Sequence, residues 1–270
     1  MSPKRSLRQV LTARVRERAR QGVHIAVHRT WEWVQRHGEI TPHTPGRRKF
    51  AYLGEGVCIG FPIGSIYGEP WISIGDHTLI GTHVTISAGF VPGLDLGPDV
   101  IVRIGASCSI GRGTHIVGHQ SIDIGDDVFT GPNVYITDQN HTYGDLHTPI
   151  GRQWPENNPV VIGDGCWIGT GAIILPGTRL GRNVAVAGGA VVRGEFPDHS
   201  VIGGVPAKIL RRHDKENGWQ PPLRNDPLIS LDELAALSVN GLEGLQILQD
   251  KLREETTART NPEPLQEEAG

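Results

Sequence analysis

His141 is the residue whose type and surroundings most directly suggest chemistry in this sequence. It follows Asn140 in the stretch VYITDQNHTYGDLHTPI, which runs from residue 134 to residue 150. The imidazole of histidine has an unperturbed pKa of about 6.5, so it can take a proton from a hydroxyl or an amine near neutral pH. We interpret His141 as a candidate general base. The alternative interpretation is an ordinary surface histidine in a polar loop.

A six-residue period surrounds this histidine and is interrupted at it. Ile, Leu or Val occupies fourteen of fifteen positions spaced by six, and Thr130 is the exception. The period runs through Ile136 and resumes at Ile162, which is 26 residues later and so not a multiple of six. Loops on a rigid scaffold commonly carry functional residues. We therefore expect an excursion at about 138–161 with His141 at its base.

The larger repeat indicates the fold. Glycine follows the aliphatic residue in nine of the fifteen hexads. In four of the five triplets of hexads it follows the first two aliphatic residues and not the third, so the full repeat is eighteen residues made of three unequal segments. Three short segments per coil predict a triangular prism whose stacked coils pair their backbones in parallel, which is a parallel β-helix. A sandwich of alternating strands would show a period of two, and the sequence does not. The predicted fold class is all-β.

Both ends of the chain are predicted to carry helical extensions. Residues 1–50 hold twelve Lys or Arg against three Asp or Glu, whereas residues 214–270 hold five against twelve. Apolar residues at three- and four-residue steps between arginines predict an N-terminal helix. It could cap the open end of the prism, the interpretation that we favour, or rest on anionic membrane through residues 1–36. Ser230 to Glu233 resembles a capping box that opens a leucine-rich helix reaching about Leu252.

The predicted organisation has five parts. They are a basic helical extension (1–50), an entry or cap segment (51–73), the β-helix with its inserted loop (74–202), an exit strand and C-terminal helix (203–255) and a disordered tail (256–270). Three cysteines without metal-like or redox spacing, no apolar run long enough to span a membrane and no signal peptide favour a soluble, cytoplasmic protein. No disulfide, metal or nucleic-acid partner is expected.

A family resemblance is carried by VVIGDGCWIGTGAIILPGTRLGRNVAVAGGAVVRGEFPDHSVIGGVPAKIL, residues 160–210. This stretch resembles the closing coils and exit strand of the hexapeptide-repeat acyltransferases, in particular the maltose and galactoside O-acetyltransferases and their polysaccharide-modifying relatives. The resemblance extends over about residues 74–213. It implies a left-handed β-helix, assembly as a homotrimer, and acetyl-CoA or another acyl-CoA bound in grooves between neighbouring prisms.

The same resemblance suggests residue roles. In the family, a histidine eight residues after the Asn of a PNV motif is the general base, and Asn133 in GPNVYI precedes His141 by eight. The acyl-CoA contacts implied by the resemblance are Trp167 along the acetyl-transfer tunnel, the Thr170 N–H facing the thioester, Gly188 against the pantetheine arm, and Lys208 and Arg211 near the CoA phosphates. A bulky outward tryptophan and a solvated basic strand end are the alternative interpretations of Trp167 and of the two cations.

The acceptor pocket departs from the family pattern. Gly111 stands where sugar acetyltransferases often have an active-site Asn, and His119 stands at a substrate-binding Asp position. We expect Asn133, Asp138 and His119 to take part in acceptor binding. The alternative interpretation of His119 and Asp138 is that each is a solvent-facing residue of an exposed coil.

Three functions fit these residues to different degrees. The first is acyl transfer to a hydroxyl of a sugar, glycan or glycolipid without a covalent enzyme intermediate. The second is N-acetylation or xenobiotic acetylation on the same fold. The third is a carbonic anhydrase-like metalloenzyme that uses His83, His115 and His119, whose spacing matches that family poorly.

Overall fold

A computed structural model describes residues 7–90, 97 and 99–222 of the chain. One long helix, α1 (Leu7–Gly38), precedes a left-handed parallel β-helix, so the predicted fold class is confirmed. Short 3-10 helices occupy Pro45–Lys49, Glu69–Trp71 and Ile150–Arg152. The predicted C-terminal helix and the tail lie outside the described residues.

The first and third faces of the prism are parallel sheets of seven and six strands. In spatial order the first sheet is β1 (Tyr52–Leu53), β4 (Ile72–Ile74), β7 (Val102–Ile104), β10 (Ile122–Ile124), β15 (Val160–Ile162), β18 (Arg179–Leu180) and β21 (Glu195–Phe196). The third sheet is β3 (Ile66–Tyr67), β6 (Thr85–Ala88), β9 (His115–Gly118), β12 (Tyr135–Thr137), β17 (Ile173–Ile174) and β20 (Val191–Val192).

The second face has nine strands, of which the last two are antiparallel to their neighbours. Its order is β2 (Cys58–Ile59), β5 (Leu79–Ile80), β8 (Ser109–Ile110), β11 (Phe129–Thr130), β16 (Trp167–Ile168), β19 (Ala185–Val186), β22 (Ser200–Gly203), β23 (Lys208–Asp214) and β24 (Gly218–Gln220). A separate antiparallel ribbon pairs β13 (Gln139–Asn140) with β14 (Glu156–Asn157).

All fifteen positions of the six-residue period point into the prism and are buried, including Thr130 at 1% exposure. The Gly111 N–H donates to Thr130 Oγ1 at 2.8 Å, which satisfies the one hydroxyl in this column of aliphatic side chains. Burying each aliphatic side chain contributes about 1.5–3 kcal/mol, so the column is the main source of stability.

The residue three places after the buried one turns the corner with a positive φ. His77, Asn133 and Asn183 do so at 58°, 57° and 51°, and glycine does so at many equivalent positions. Left-handed backbone is disfavoured for most side chains and tolerated by Gly, Asn and Asp. The positive φ at the corners therefore explains why Gly and Asn recur with the six-residue period. The sequence analysis did not identify this second cause of the period.

The longest insertions leave the prism at the same corner. Each coil visits the first, second and third sheet in turn, and we number each corner by the sheet before it. Ile74, Ile104, Ile124 and Ile162 pair in successive coils of the first sheet. They are 30, 20 and 38 positions apart instead of 18, so insertions of 12, 2 and 20 residues are present. All three insertions emerge at the third corner, after β6, β9 and β12.

Helix α1 does not cap the prism as we expected. Its residues 16–33 are exposed, including Val23 at 65% and Trp33 at 56%. The segment after the helix covers the first coil instead, because Ile40 forms an antiparallel bridge with Ile59 and Phe50 is buried in the core. Of the helices that the structure describes, none has the apolar length required to cross a membrane.

Candidate active site

His141 lies at the mouth of the longest insertion. The chain leaves the prism after β12, and β13 then pairs with β14, which places Asn140 opposite Glu156. His141 directly follows β13 and is exposed. The antiparallel ribbon thus fixes the backbone on one side of the imidazole, while the side chain itself faces outward from the isolated chain.

Internal hydrogen bonds hold the body of this loop. The Gln153 Nε2 group donates to the carbonyl oxygens of Asp145 and Thr148, each at 2.8 Å. The Thr148 hydroxyl donates to Asp145 Oδ2 at 2.6 Å, and this bond is the main reason that the pKa of Asp145 is lowered. The Thr142 hydroxyl donates to the Trp154 carbonyl at 2.6 Å, which ties the far side of the loop to the residue after His141.

Asp138 occupies the third corner as a buried anchor. Its carboxylate is fully buried and accepts three backbone N–H groups, from His119 at 2.8 Å and from Gln120 and Ser121 at 2.7 Å each. Charge-assisted bonds of this kind are strong. Our expectation that Asp138 contacts the acceptor needs correction, because its oxygens are used to hold the turn that carries His119.

His119 is half-buried beside Asp138 and His141. Its ring packs edge-on against Phe90 with 4.2 Å between centroids. Its Nδ1 atom is buried, and none of the residues that the structure describes forms a hydrogen bond with it. Burial lowers the pKa of His119, nearby Asp138 partly opposes this, and His141 lowers it further. The imidazole of His119 is therefore neutral at neutral pH.

The three residues predicted to contact the reactive end of acyl-CoA, which we call the donor-side residues, lie together elsewhere. Trp167 is on the outer face of the second sheet and is 48% exposed. Thr170 and Gly188 occupy the second corner in neighbouring coils, where the Gly189 N–H donates to the Thr170 carbonyl at 2.9 Å. A Cβ atom added to Gly188 would lie 3.2 Å from that carbonyl, so its backbone stands close to the coil below.

The two predicted phosphate-binding cations lie on β23, which extends the same sheet. Lys208 pairs with Gly203 and Arg211 with Val201 across the antiparallel ladder. Lys208 is exposed and Arg211 is partly buried. Three strand spacings of about 4.8 Å separate β23 from the strand of Trp167. The two groups of residues therefore lie roughly 15 Å apart on one sheet.

His141 and the donor-side residues are on different corners. His141 follows the third sheet, whereas Thr170 and Gly188 precede it. The third sheet therefore separates the candidate base from the candidate thioester site, and one chain by itself does not bring them together.

Asn133 also lies at the second corner, in the left-handed conformation, and is exposed. A Cβ atom on Gly113 in the coil below would collide with its amide oxygen, so the amide covers that glycine. Within one chain Asn133 is therefore not beside His141. The structure assigns Asn133 a corner-turning role. The eight-residue spacing between Asn133 and His141 arises because one strand of the third sheet, β12, lies between them.

The histidines of the metalloenzyme alternative are dispersed. His83 turns the second corner, His115 lies on the third sheet and His119 is at the third corner. Among the side chains that the structure describes, no group of three or more His, Cys, Asp or Glu is arranged to hold a metal ion.

The thiols are poor nucleophiles. Burial is the first cause of a raised pKa for Cys58, Cys108 and Cys166, and it raises the pKa of Cys166 to about 11. A thiolate is the nucleophilic form of cysteine. All three groups are therefore protonated near neutral pH, as the interpretation of these residues as small packing groups requires.

Phe90 is a site residue that the sequence analysis missed. It belongs to the 12-residue insertion after β6, and its ring lies near His119 and near Trp154 from the 20-residue insertion. The signal was available in the sequence, because the spacing of Ile74 from Ile104 already records an insertion at the corner where His141 lies.

Two repeat models match parts of the chain. Residues 159–194 match the bacterial transferase hexapeptide (six repeats), and residues 101–138 match the hexapeptide repeat of succinyl-transferase. These matches confirm the predicted resemblance to hexapeptide-repeat transferases over the segments that carry the coils.

Curated relatives are named as acetyltransferases. The probable acetyltransferase Rv3034c of Mycobacterium tuberculosis is 31% identical over 175 residues, which are 64% of this chain and 53% of that protein. The putative lipopolysaccharide biosynthesis O-acetyl transferase WbbJ of Escherichia coli is 38% identical over 109 residues, which are 38% of this chain and 56% of that protein. The chain thus spans about half the length of the curated relatives it matches.

A solved structure shares the fold. A variant of AntD, an N-acyltransferase from Bacillus cereus, in complex with dTDP and coenzyme A, matches with a TM-score of 0.55 and 19% identity. The match covers 66% of this chain and 92% of that one. At this identity it supports the β-helix alone.

We predict that His119 makes stability depend on pH. Because burial lowers the pKa of His119 in the folded state, the unfolded chain binds a proton at a higher pH than the folded chain does. The free energy of unfolding therefore decreases as the pH falls below about 6.5. Thermal unfolding at pH 7.5 and 5.5 should show a smaller acid loss for His119→Phe than for the unsubstituted chain. His147→Phe, at an exposed position in the loop, is the control. Equal acid losses in all three proteins would contradict the prediction.

Proposed function

We propose that this hexapeptide-repeat chain transfers an acetyl or other acyl group from acyl-CoA to a hydroxyl of a sugar, glycan or glycolipid. The observation that carries the proposal is the third corner, where His141 stands exposed on a fixed ribbon beside a half-buried His119. The names of the curated relatives support acetyl transfer, and that of WbbJ supports an O-linked glycan acceptor.

The donor would bind along the second sheet. Trp167 offers an exposed indole for the acyl and pantetheine end, while Lys208 and Arg211 offer positive charge for the phosphates. Gly188 leaves room where a side chain would obstruct the approach of the pantetheine arm to the second corner. The family resemblance and this shared surface together support acetyl-CoA as the donor.

The reaction that fits these groups is direct attack. His141 takes the proton of the acceptor hydroxyl while its oxygen bonds to the thioester carbon, and the carbonyl oxygen becomes negative. The Thr170 N–H is our candidate donor to that oxyanion. When the tetrahedral intermediate collapses, the C–S bond breaks and the CoA sulfur receives the proton held by His141. No enzyme nucleophile is needed, in agreement with the protonated thiols.

We propose a homotrimer, because the two halves of this mechanism lie on different corners of one prism. A neighbouring prism could place its second corner against the third corner of the first, so that each site uses both chains. Exposed apolar side chains on the loop support such a contact: Tyr143 is 75%, Leu146 91% and Ile150 54% exposed. Exposed apolar side chains that cluster in a patch commonly mark a protein–protein contact.

We further propose that the protein is cytoplasmic and that residues 1–36 contact anionic membrane. In the described part of this segment, Arg16, Arg18 and Arg20 stand on exposed turns of α1, and Trp31 and Trp33 are 47% and 56% exposed near its end. Cationic and tryptophan side chains together favour the interface of an anionic bilayer.

We predict that His141→Ala lowers the turnover number at least about a hundredfold, because a positioned general base contributes about that much or more. Thiol release from acetyl-CoA in the presence of a glycan acceptor measures it, and mass spectrometry of the acceptor identifies an acetyl increment. The Michaelis constant for acetyl-CoA should stay within about twofold. His147→Ala, at an exposed position of the same loop, is the matched control. Full turnover in His141→Ala would rule out the assigned base.

We predict that two inactive variants complement each other. Chains with His141→Ala lack the base, and chains with Gly188→Trp obstruct the second corner. In trimers assembled from equal amounts, about a quarter of the interfaces combine an intact His141 with an intact Gly188, so about a quarter of the activity should return. Trimers of each variant alone are the controls. If mixed trimers stay inactive while both variants fold and assemble, the site does not span two chains.

We predict that the full chain sediments with phosphatidylglycerol vesicles and not with phosphatidylcholine vesicles. Replacing Arg16, Arg18 and Arg20 by Gln should weaken this binding at least about tenfold, because each cation near an anionic surface contributes about 1 kcal/mol. Substituting exposed Arg103 and Arg152 by Gln is the control. Equal sedimentation with both lipids would contradict membrane contact through charge.

A further inference from the structure

Three aromatic rings from three insertions meet at the third corner. Phe90 lies 4.2 Å from His119 and 5.5 Å from Trp154, measured between ring centroids. The three side chains come from the 12-, 2- and 20-residue insertions respectively. We call Phe90, His119 and Trp154 the aromatic shelf.

The shelf has an open face. Trp154 touches Phe90 yet remains 79% exposed, so most of its indole is available to a ligand. Its backbone is held, because its carbonyl accepts the Thr142 hydroxyl at 2.6 Å and the preceding Gln153 side chain bonds twice within the loop. A large apolar side chain kept exposed on a fixed backbone loses little conformational freedom when a ligand covers it.

The shelf is adjacent to the candidate base. Thr142, which holds Trp154, is the residue after His141. His141 also lies close enough to His119 to influence its ionisation. An acceptor resting on the indole and the imidazole would therefore reach His141 without leaving the corner.

The surroundings of the shelf are polar. Gln139 and Asn140 form the strand that ends at His141, and both are accessible. The Asn157 amide oxygen and His119 Nδ1 have no hydrogen-bond partner within the described part of the chain. The Asp138 carboxylate is fully buried and bound by backbone N–H groups, so it offers no charge to a cation. An aromatic face among neutral polar groups fits a neutral ligand with one apolar face and a polar edge.

We propose that the aromatic shelf is the acceptor subsite and that it stacks against the C–H face of a pyranose ring, presenting a ring hydroxyl to His141. A pyranose has the required amphipathic shape, since its axial hydrogens form an apolar face and its hydroxyls lie around the rim. Delivery of the hydroxyl rests on the proposed acyl transfer, whereas binding of the ring does not.

The test measures binding without turnover. The full chain is labelled with 5-fluorotryptophan, the Trp154 resonance is assigned by its absence in Trp154→Phe, and methyl β-D-galactopyranoside and methyl β-D-glucopyranoside are titrated in. We expect this resonance to shift with at least one glycoside and to stay unchanged with glycerol, which has hydroxyls and no ring. Failure of both glycosides to shift it overturns the proposal.

Variants give the second measurement. Trp154→Ala should weaken binding of the glycoside, followed by the calorimetric heat of titration, about tenfold, as expected for loss of one aromatic contact, and Trp154→Phe should weaken it less than about threefold. Trp33→Ala, at an exposed position on α1, is the matched control and should bind normally. Unchanged binding in Trp154→Ala overturns the proposal, and so does a change of this variant from trimer to monomer, because the indole would then be a subunit contact.

Activity separates this inference from the proposed function. If the glycoside binds at Trp154 but no thiol is released from acetyl-CoA with any glycoside, the result supports the acceptor subsite and contradicts the proposed acyl transfer. If transfer proceeds and Trp154→Ala leaves the Michaelis constant of the glycoside unchanged, the result supports acyl transfer and contradicts the acceptor subsite.

Discussion

The strict stacking of coils is the constraint on which the rest of the structure depends. Each strand inside the three sheets pairs with the coils above and below, and a buried side chain at every sixth residue fills the space between the three faces. A coil cannot absorb an extra residue without moving its aliphatic side chains out of the column. Extra residues must therefore leave at a corner, and in this chain the three largest insertions leave at the same one.

That constraint converts distant sequence positions into neighbours. Phe90, His119 and His141 are separated by 29 and 22 residues, yet they follow the third sheet in consecutive coils. Asp138 secures the arrangement, because its buried carboxylate binds the turn that carries His119. The corner combines a rigid base with exposed side chains, a combination that suits a site where a substrate must be held and a proton moved.

The division of candidate residues between two corners is the reason that the proposed mechanism requires a second chain. The surface proposed for acyl-CoA belongs to the second sheet and second corner, and the proposed base belongs to the third. A stiff β-helix cannot fold over to join them. Association of prisms is the remaining way to bring them together, which connects the proposed chemistry with the apolar side chains exposed on the loop.

The sequence alone determined the fold and the position of the candidate base, because both are recorded as a period and its interruption. It also suggested which residues could face acyl-CoA. It did not predict that α1 would stand exposed, that Asp138 would be buried, or that Asn133 would turn a corner away from His141. Those outcomes depend on contacts between coils, and the tertiary structure decided them. Phe90 and Trp154 met His119 for the same reason: stacking at about 4.8 Å per coil places successive insertions side by side, whatever their length.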